Sequence, residues 1–241
     1  MSKLPKAPLI EVIFELRWRV EPSEFQEIQY LHGDFYPLIR KKYPFRETIQ
    51  SIPIEFLVNA PTHRFRTAAN DYPLVQLGPG VLTLNTTDPK YFWEEFEVEI
   101  LSVVEKFMSI YPFTDNHNVK LTLQYIDLIK FDFQSENLVE FLNENLQINI
   151  SQGFYKGGRI SNNLALALNF ENKLGLLGVY INRGKSSNGQ DGIAIQTNIT
   201  SFELKPDVQT IKSWLGEAHE LCSTSFKEMT KGRLYTEFSQ K

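Results

Sequence analysis

The chain has 241 residues, of which 42% are hydrophobic, 22% charged and 13% aromatic, with a formal net charge of −4 and a pI near 5.7. This balance describes one large globular domain or two small ones sharing a core, and it opposes a protein devoted to neutralising phosphates, which needs a domain pI above about 9. One cysteine, Cys222, excludes an intramolecular disulfide or a multi-cysteine metal site.

Apolar residues crowd residues 4–20, "LPKAPLIEVIFELRWRV", but Glu11, Glu15, Arg17 and Arg19 interrupt any signal-peptide core. No stretch approaches the roughly 18 uninterrupted apolar residues of a membrane span. A lone thiol suits a reducing compartment, so the expected location is the cytoplasm. Phe14, Leu16, Trp18 and Val20 alternate with charged residues, the period of a half-buried strand. After Pro22 and Ser23, Phe25, Ile28, Leu31 and Phe35 recur at helical spacing, with Lys41 and Lys42 near the end before Pro44.

Strand-like segments "SIPIEFLVN" and "THRFRTA" follow, and then two alternating runs around Gly78-Pro79-Gly80, which predict a hairpin. Asp88 and Pro89 suit a helix start. The stripe Phe92, Phe96, Ile100, Val103, Val104 and Phe107 makes that helix amphipathic. The order then begins again. "NVKLTLQYIDLIKFDF" predicts a long strand, "SENLVEFLNENL" a short helix capped by Ser135, and "LALALNFE", "LGLLGVYINRG" and "IAIQTNITSFE" three more strands. A terminal helix carries Val208, Ile211, Trp214, Leu215, Ala218, Leu221, Cys222, Phe226 and Met229 on one side, weakened by Gly216 and Gly232.

Both halves thus read strand, helix, several strands, long helix. "ELRWRVEPSEFQEI" answers "DLIKFDFQSENLVEF", and "GVLTLNTTD" answers "GIAIQTNIT" before each closing helix. The expected fold is α+β: an internally duplicated unit, residues 1–115 and 116–241, packed as one body around a long bent antiparallel sheet. Both long helices must bury their stripes, so both are expected on one face. Such an order resembles the TATA-binding-protein-like saddle, with a helix-grip fold as the alternative. Neither analogy licenses a function.

Four stretches carry a further likeness: "LPKAPLIEVIFELRW", "VQLGPGVLTLNTTDPKYFWEEF", "LTLQYIDLIKF" and "WLGEAHELCSTSFKEMT". In this order they resemble an uncharacterised, sporadically distributed bacterial family of about this length. Asp127 departs from that pattern, where "Y-I-N" is expected. The resemblance implies an intracellular accessory protein, of the kind that serves defence or conflict systems, and implies no activity.

No catalytic, cofactor-binding or metal-binding residue emerges. His32, His63, His117 and His219 show no ligand spacing with another His, Cys or carboxylate. His219, within one of the four stretches, is a functional candidate weighed against a helix-face histidine bonding to the sheet. Cys222 stands at i+3 from it among apolar neighbours, as a small core hydrophobe does. "RKKYPFR" (40–46) could stack nucleic acid with Arg64, Arg66 and Lys90, though a solvated helix end explains it as well. Tyr36, Tyr43, Tyr91, Trp93, Phe154 and Tyr155 look like more aromatic surface than the core can take. In "SQGFYKGGRISNN" (151–163), Phe154, Tyr155 and Arg159 are residue types that anchor interfaces.

The expected function is therefore non-enzymatic binding or assembly through a protein partner or self-association, with no cofactor and no membrane. A small-ligand pocket between sheet and long helix is the alternative. Nucleic-acid binding on the concave sheet is a third, opposed by the acidic pI.

Overall fold

In chain order the elements are β1 (Leu9–Trp18), α1 (Phe25–Ile39), β2 (Phe45–Thr48), β3 (His63–Arg66), β4 (Leu74–Gly78), β5 (Val81–Thr87), α2 (Trp93–Met108), β6 (Val119–Lys130), α3 (Leu138–Asn145), β7 (Ala165–Asn172), β8 (Gly175–Lys185), β9 (Asp191–Ser201), α4 (Val208–Met229) and α5 (Arg233–Ser239). The computed structural model describes residues 4–21, 24–49, 59–87, 89, 91–151, 153, 163–186 and 188–240. The fold is α+β, with one open antiparallel sheet in the order β2-β3-β4-β5-β1-β6-β9-β8-β7. Outward from the β1–β6 pair, one side runs β5, β4, β3, β2 and the other β9, β8, β7.

The period-two pattern of each strand becomes a row of opposed side chains. Phe65, Val75, Leu84, Phe14, Leu123, Ile199, Leu177 and Phe170 are successive cross-strand partners through eight strands. Val75, Leu84, Leu123 and Ile199 are completely buried, and burying a side chain of this size stabilises by about 1.5–3 kcal/mol.

This row faces the helices. Phe14, Leu84 and Leu123 share one core with Phe35 and Ile39 of α1, Ile100, Val104 and Phe107 of α2, and Ile211, Leu215 and Cys222 of α4. A second core joins Ile129, Ile181 and Ile195 to Leu138 and Leu142 of α3 and to Leu234 and Phe238 of α5. Strand alternation puts Ile129 on the same side as Leu123, so all five helices cover one face of the sheet.

Three expectations need correction. Helix α2 begins at Trp93, after an extended Phe92, rather than directly after Pro89, and Phe92 is half exposed rather than part of the buried stripe. The cap of α3 is Asn137, whose side-chain oxygen accepts from the Glu140 N–H, while the Ser135 hydroxyl donates to Asp132, three residues earlier. The terminal helix is two helices. Gly232 takes φ 120°, which a residue with a Cβ rarely adopts, and the chain turns there between α4 and α5.

The aromatic surplus is also smaller than expected. Tyr43 and Tyr91 are buried and Tyr36 and Trp93 pack against the main core. Of the strand-like stretch "SIPIEFLVN" (51–59), residues 51–58 lie outside the described residues.

Candidate functional site

Where α4 crosses the inner face of β6 and β9, the helices and the sheet do not close completely. A cavity of about 260 Å³ remains. Its floor is the sheet: Tyr125 and Asp127 on β6 and Thr197 on β9. Tyr125 and Thr197 are direct cross-strand partners, and Asp127 lies one inward position further along, opposite Ile195. One wall is α4, with His219, Cys222 and Phe226 on successive turns. The opposite wall is Tyr91, Phe92 and Trp93 at the entry to α2.

Leu4, Ala7 and Pro8 close one end. The Lys6 N–H donates to the Phe238 carbonyl of α5 at 3.0 Å, and the Leu128 N–H to the Pro8 carbonyl at 2.8 Å. These two bonds fix that stretch against the sheet and the last helix.

A line of hydrogen bonds runs through the site. The Tyr91 and Tyr125 hydroxyls are 3.0 Å apart, and the Tyr125 hydroxyl is 2.7 Å from His219 Nδ1. Trp93 lies parallel to the His219 ring at 4.0 Å, and Tyr91 meets Tyr125 edge-on. His219 is therefore held by the sheet on one side and by an indole on another.

Burial sets the protonation of these groups. It drives His219 down to about 4 against the opposing charges of Glu220 and Glu94, so the imidazole is neutral at pH 7. It pushes the Cys222 thiol up to about 12, far from a reactive thiolate. The Tyr91 and Tyr125 phenols are also raised by burial, and the Asp127 charge adds to both shifts. Thr197 is 1% exposed. Its hydroxyl is buried without a hydrogen-bond partner among the described residues, a cost of about 1–3 kcal/mol if nothing else satisfies it.

Of the expected residues, His219 thus stands in a pocket and bonds to sheet residue Tyr125. Cys222 is 1% exposed and belongs to the core beside it. Phe154, Tyr155 and Arg159 lie outside the described residues. Strand pairing sets part of the basic run beside the β3 arginines, with Phe45 opposite Arg66 and Glu47 opposite Arg64. Arg46 sits over the Tyr36 ring, Lys42 pairs with Glu99, and Arg66 with Glu47. Lys90 also lies outside the described residues. Among the described residues no group of three or more His, Cys, Asp and Glu is placed to hold a metal ion, and no helix is long and apolar enough to cross a membrane.

Tyr91, Tyr125, Asp127 and Thr197 were not singled out as chemical residues by their sequence context. Four stretches far apart in the chain deliver residues to this one cavity: Leu4 with Ala7 to Leu9, Tyr91 to Glu94, Tyr125 with Asp127, and His219 to Lys227. Comparison with protein-family models, with curated proteins and with solved structures finds no match to the chain.

Proposed function

We propose that the protein is a non-enzymatic binding protein that holds a small organic ligand between its sheet and its long helix α4. The observation that carries this is the unsatisfied Thr197 hydroxyl on the floor of an aromatic-walled cavity. Ligand sites combine apolar and aromatic walls with a few placed polar groups in this way. The volume of about 260 Å³ suits one or two fused rings, at the small end of ligand pockets. Binding rather than catalysis is favoured because the Cys222 thiol is held protonated and His219 Nδ1 is engaged by Tyr125.

The same proposal extends to architecture and setting. We read the fold as a duplicated, saddle-like unit, supported by the matching outward orders β1, β5, β4, β3 and β6, β9, β8, β7. An intracellular accessory role in bacteria, as the family likeness implies, is consistent with the buried free thiol.

A ligand-observed NMR screen of ring-sized fragments against the full chain and against Ser223→Trp tests the site. Ser223 lines the cavity, and an indole there fills it. Fragments should bind the wild type and lose binding in the filled variant. Failure of every fragment, whatever its charge, or equal binding to both proteins, overturns the proposed site.

A further inference from the structure

Resting on that proposed site, the geometry points to the class of its ligand: a neutral molecule of one or two aromatic rings with a single hydroxyl, which meets the Thr197 hydroxyl on the cavity floor.

Most polar groups around the cavity are already engaged. The Tyr91 and Tyr125 hydroxyls and His219 Nδ1 are joined in one line. Asp127, Glu94 and Lys227, the charged side chains of the lining, each have a partner within the protein, as does Ser223. The N-terminal amino group is a further cation that acts on Glu94 and His219. Charge of both signs is therefore already committed here. A charged ligand would have to draw one of these groups from its present partner or enter without a counter-charge, and burying a charge on either terms is costly.

The Thr197 hydroxyl stands apart. Thr197 is 1% exposed and lies directly opposite Tyr125, and its oxygen has no hydrogen-bond partner among the described residues. A hydroxyl both donates and accepts, so a ligand hydroxyl can serve it in either sense. A ligand with no polar group would leave it buried and unsatisfied, which is the costlier arrangement.

The walls supply the rest. Leu4, Ala7, Pro8, Phe92, Trp93 and Phe226 line the cavity, and flat rings gain from burial against such aliphatic and aromatic surfaces. Cys222 adds a protonated thiol, which behaves as a small hydrophobe rather than a nucleophile. Sites of this make-up take affinity from apolar contact and orientation from a few polar groups.

Four probes on one double-ring frame make the test: 2-naphthol (neutral, with a hydroxyl), 2-methylnaphthalene (neutral, without one), 2-naphthoate (anion) and 2-naphthylmethylamine (cation). Each is titrated into the full chain at pH 7 and followed by protein-observed NMR. In the wild type 2-naphthol should bind more tightly than either charged probe. Thr197→Val keeps the shape of the side chain and removes the hydroxyl. In that variant the affinity of 2-naphthol relative to 2-methylnaphthalene should fall about tenfold or more, equivalent to about 1.4 kcal/mol. Where the variant does not fold, the wild-type charge ranking decides. An unchanged ratio, or a charged probe that matches 2-naphthol, overturns the inference while leaving a ligand site in place. Absence of binding by all four probes overturns it as well, and the fragment screen then tells whether the site itself fails.

Discussion

Trp93 lies flat on His219, with ring centroids 4.0 Å apart and planes 5° from parallel, although the two residues come from opposite halves of the chain. The indole closes one side of the imidazole to water, and burial holds its pKa near 4. An NMR titration should therefore place the His219 midpoint near 4 in the wild type. In Trp93→Ala, water reaches the ring and the midpoint should rise toward 6.5. A wild-type midpoint at the ordinary value contradicts the stacked, buried geometry.

A second ring pair ties α1 to the sheet: His32 stacks on His63 at 3.8 Å. Burial, aided by the charges of His32 and Arg46, lowers His63 from 6.5 to about 4, as burial does at His219. Between those values the folded state binds fewer protons than the unfolded chain, so stability rises with pH across the window. Melting temperature should be flat above pH 6.5 and fall progressively toward pH 4. His63→Phe removes one of the titrating groups and should make that fall shallower; an unchanged slope assigns the acid sensitivity elsewhere.

The C-terminal end of α1 is bound to α2 through one carboxylate. Tyr43 donates its hydroxyl to Glu99 Oε1 at 2.6 Å, and Lys42 pairs with Oε2 of the same group. Tyr43 is 1% exposed, so Tyr43→Phe should cost about 1–3 kcal/mol in urea unfolding. Lys42→Ala removes an exposed partner and should cost less than about 1 kcal/mol. The reverse ranking would mean that charge, not the buried hydroxyl, fastens the two helices.

Leu123 and Phe170 belong to the same cross-sheet row but differ in cover. Leu123 is wholly buried at the centre, while Phe170 on edge strand β7 is 51% exposed. Leu123→Ala should cost about 2–5 kcal/mol, and Phe170→Ala about 0.5 kcal/mol. Comparable losses in chemical denaturation would show that the far edge of the sheet is covered in solution.

Treatment with EDTA should leave the melting temperature unchanged, because the described residues hold no cluster of ligands for a metal ion. A drop of several degrees accompanied by zinc release defeats this expectation.

How much of this could be seen in the sequence depends on the range of the interaction that decides it. Alternation from Phe14 to Trp18 and the stripe from Phe96 to Phe107 are local, and β1 and α2 stand where those patterns put them. The Gly78-Pro79-Gly80 hairpin is local too, closed by the Gly78–Val81 pair with Gly80 at φ 77°. Cap positions were less legible because Asn137 and Ser135 are both good cap residues and only the loop conformation chooses between them. The site was hardly legible at all. Nothing in "IAIQTNIT" marks Thr197, since its importance arises from lying opposite Tyr125 and beneath α4. His219 drew notice as a helix histidine beside a cysteine, yet the partners that define it, Trp93 and Tyr125, are set by strand register and helix packing far away in the chain.

The central seam of the sheet also bears on the order in which the chain folds. Every neighbouring strand pair except β1 with β6 is drawn from one half of the chain. Hairpins β4–β5 and β7–β8 need only short turns and can form early, since closing a short loop sacrifices little chain entropy. β1 finds β5 only after the whole excursion through α1 and three further strands, and β6 finds β9 after a comparable one. The pairing of β1 with β6 comes last in this sequence, for each strand is held in place by its own half before it meets the other. The cavity therefore has no existence in either half alone. Its floor is built by the second half and its Trp93 wall by the first, so competence to bind appears only at the final zipping step, and a chain stalled before it should have secondary structure but no site.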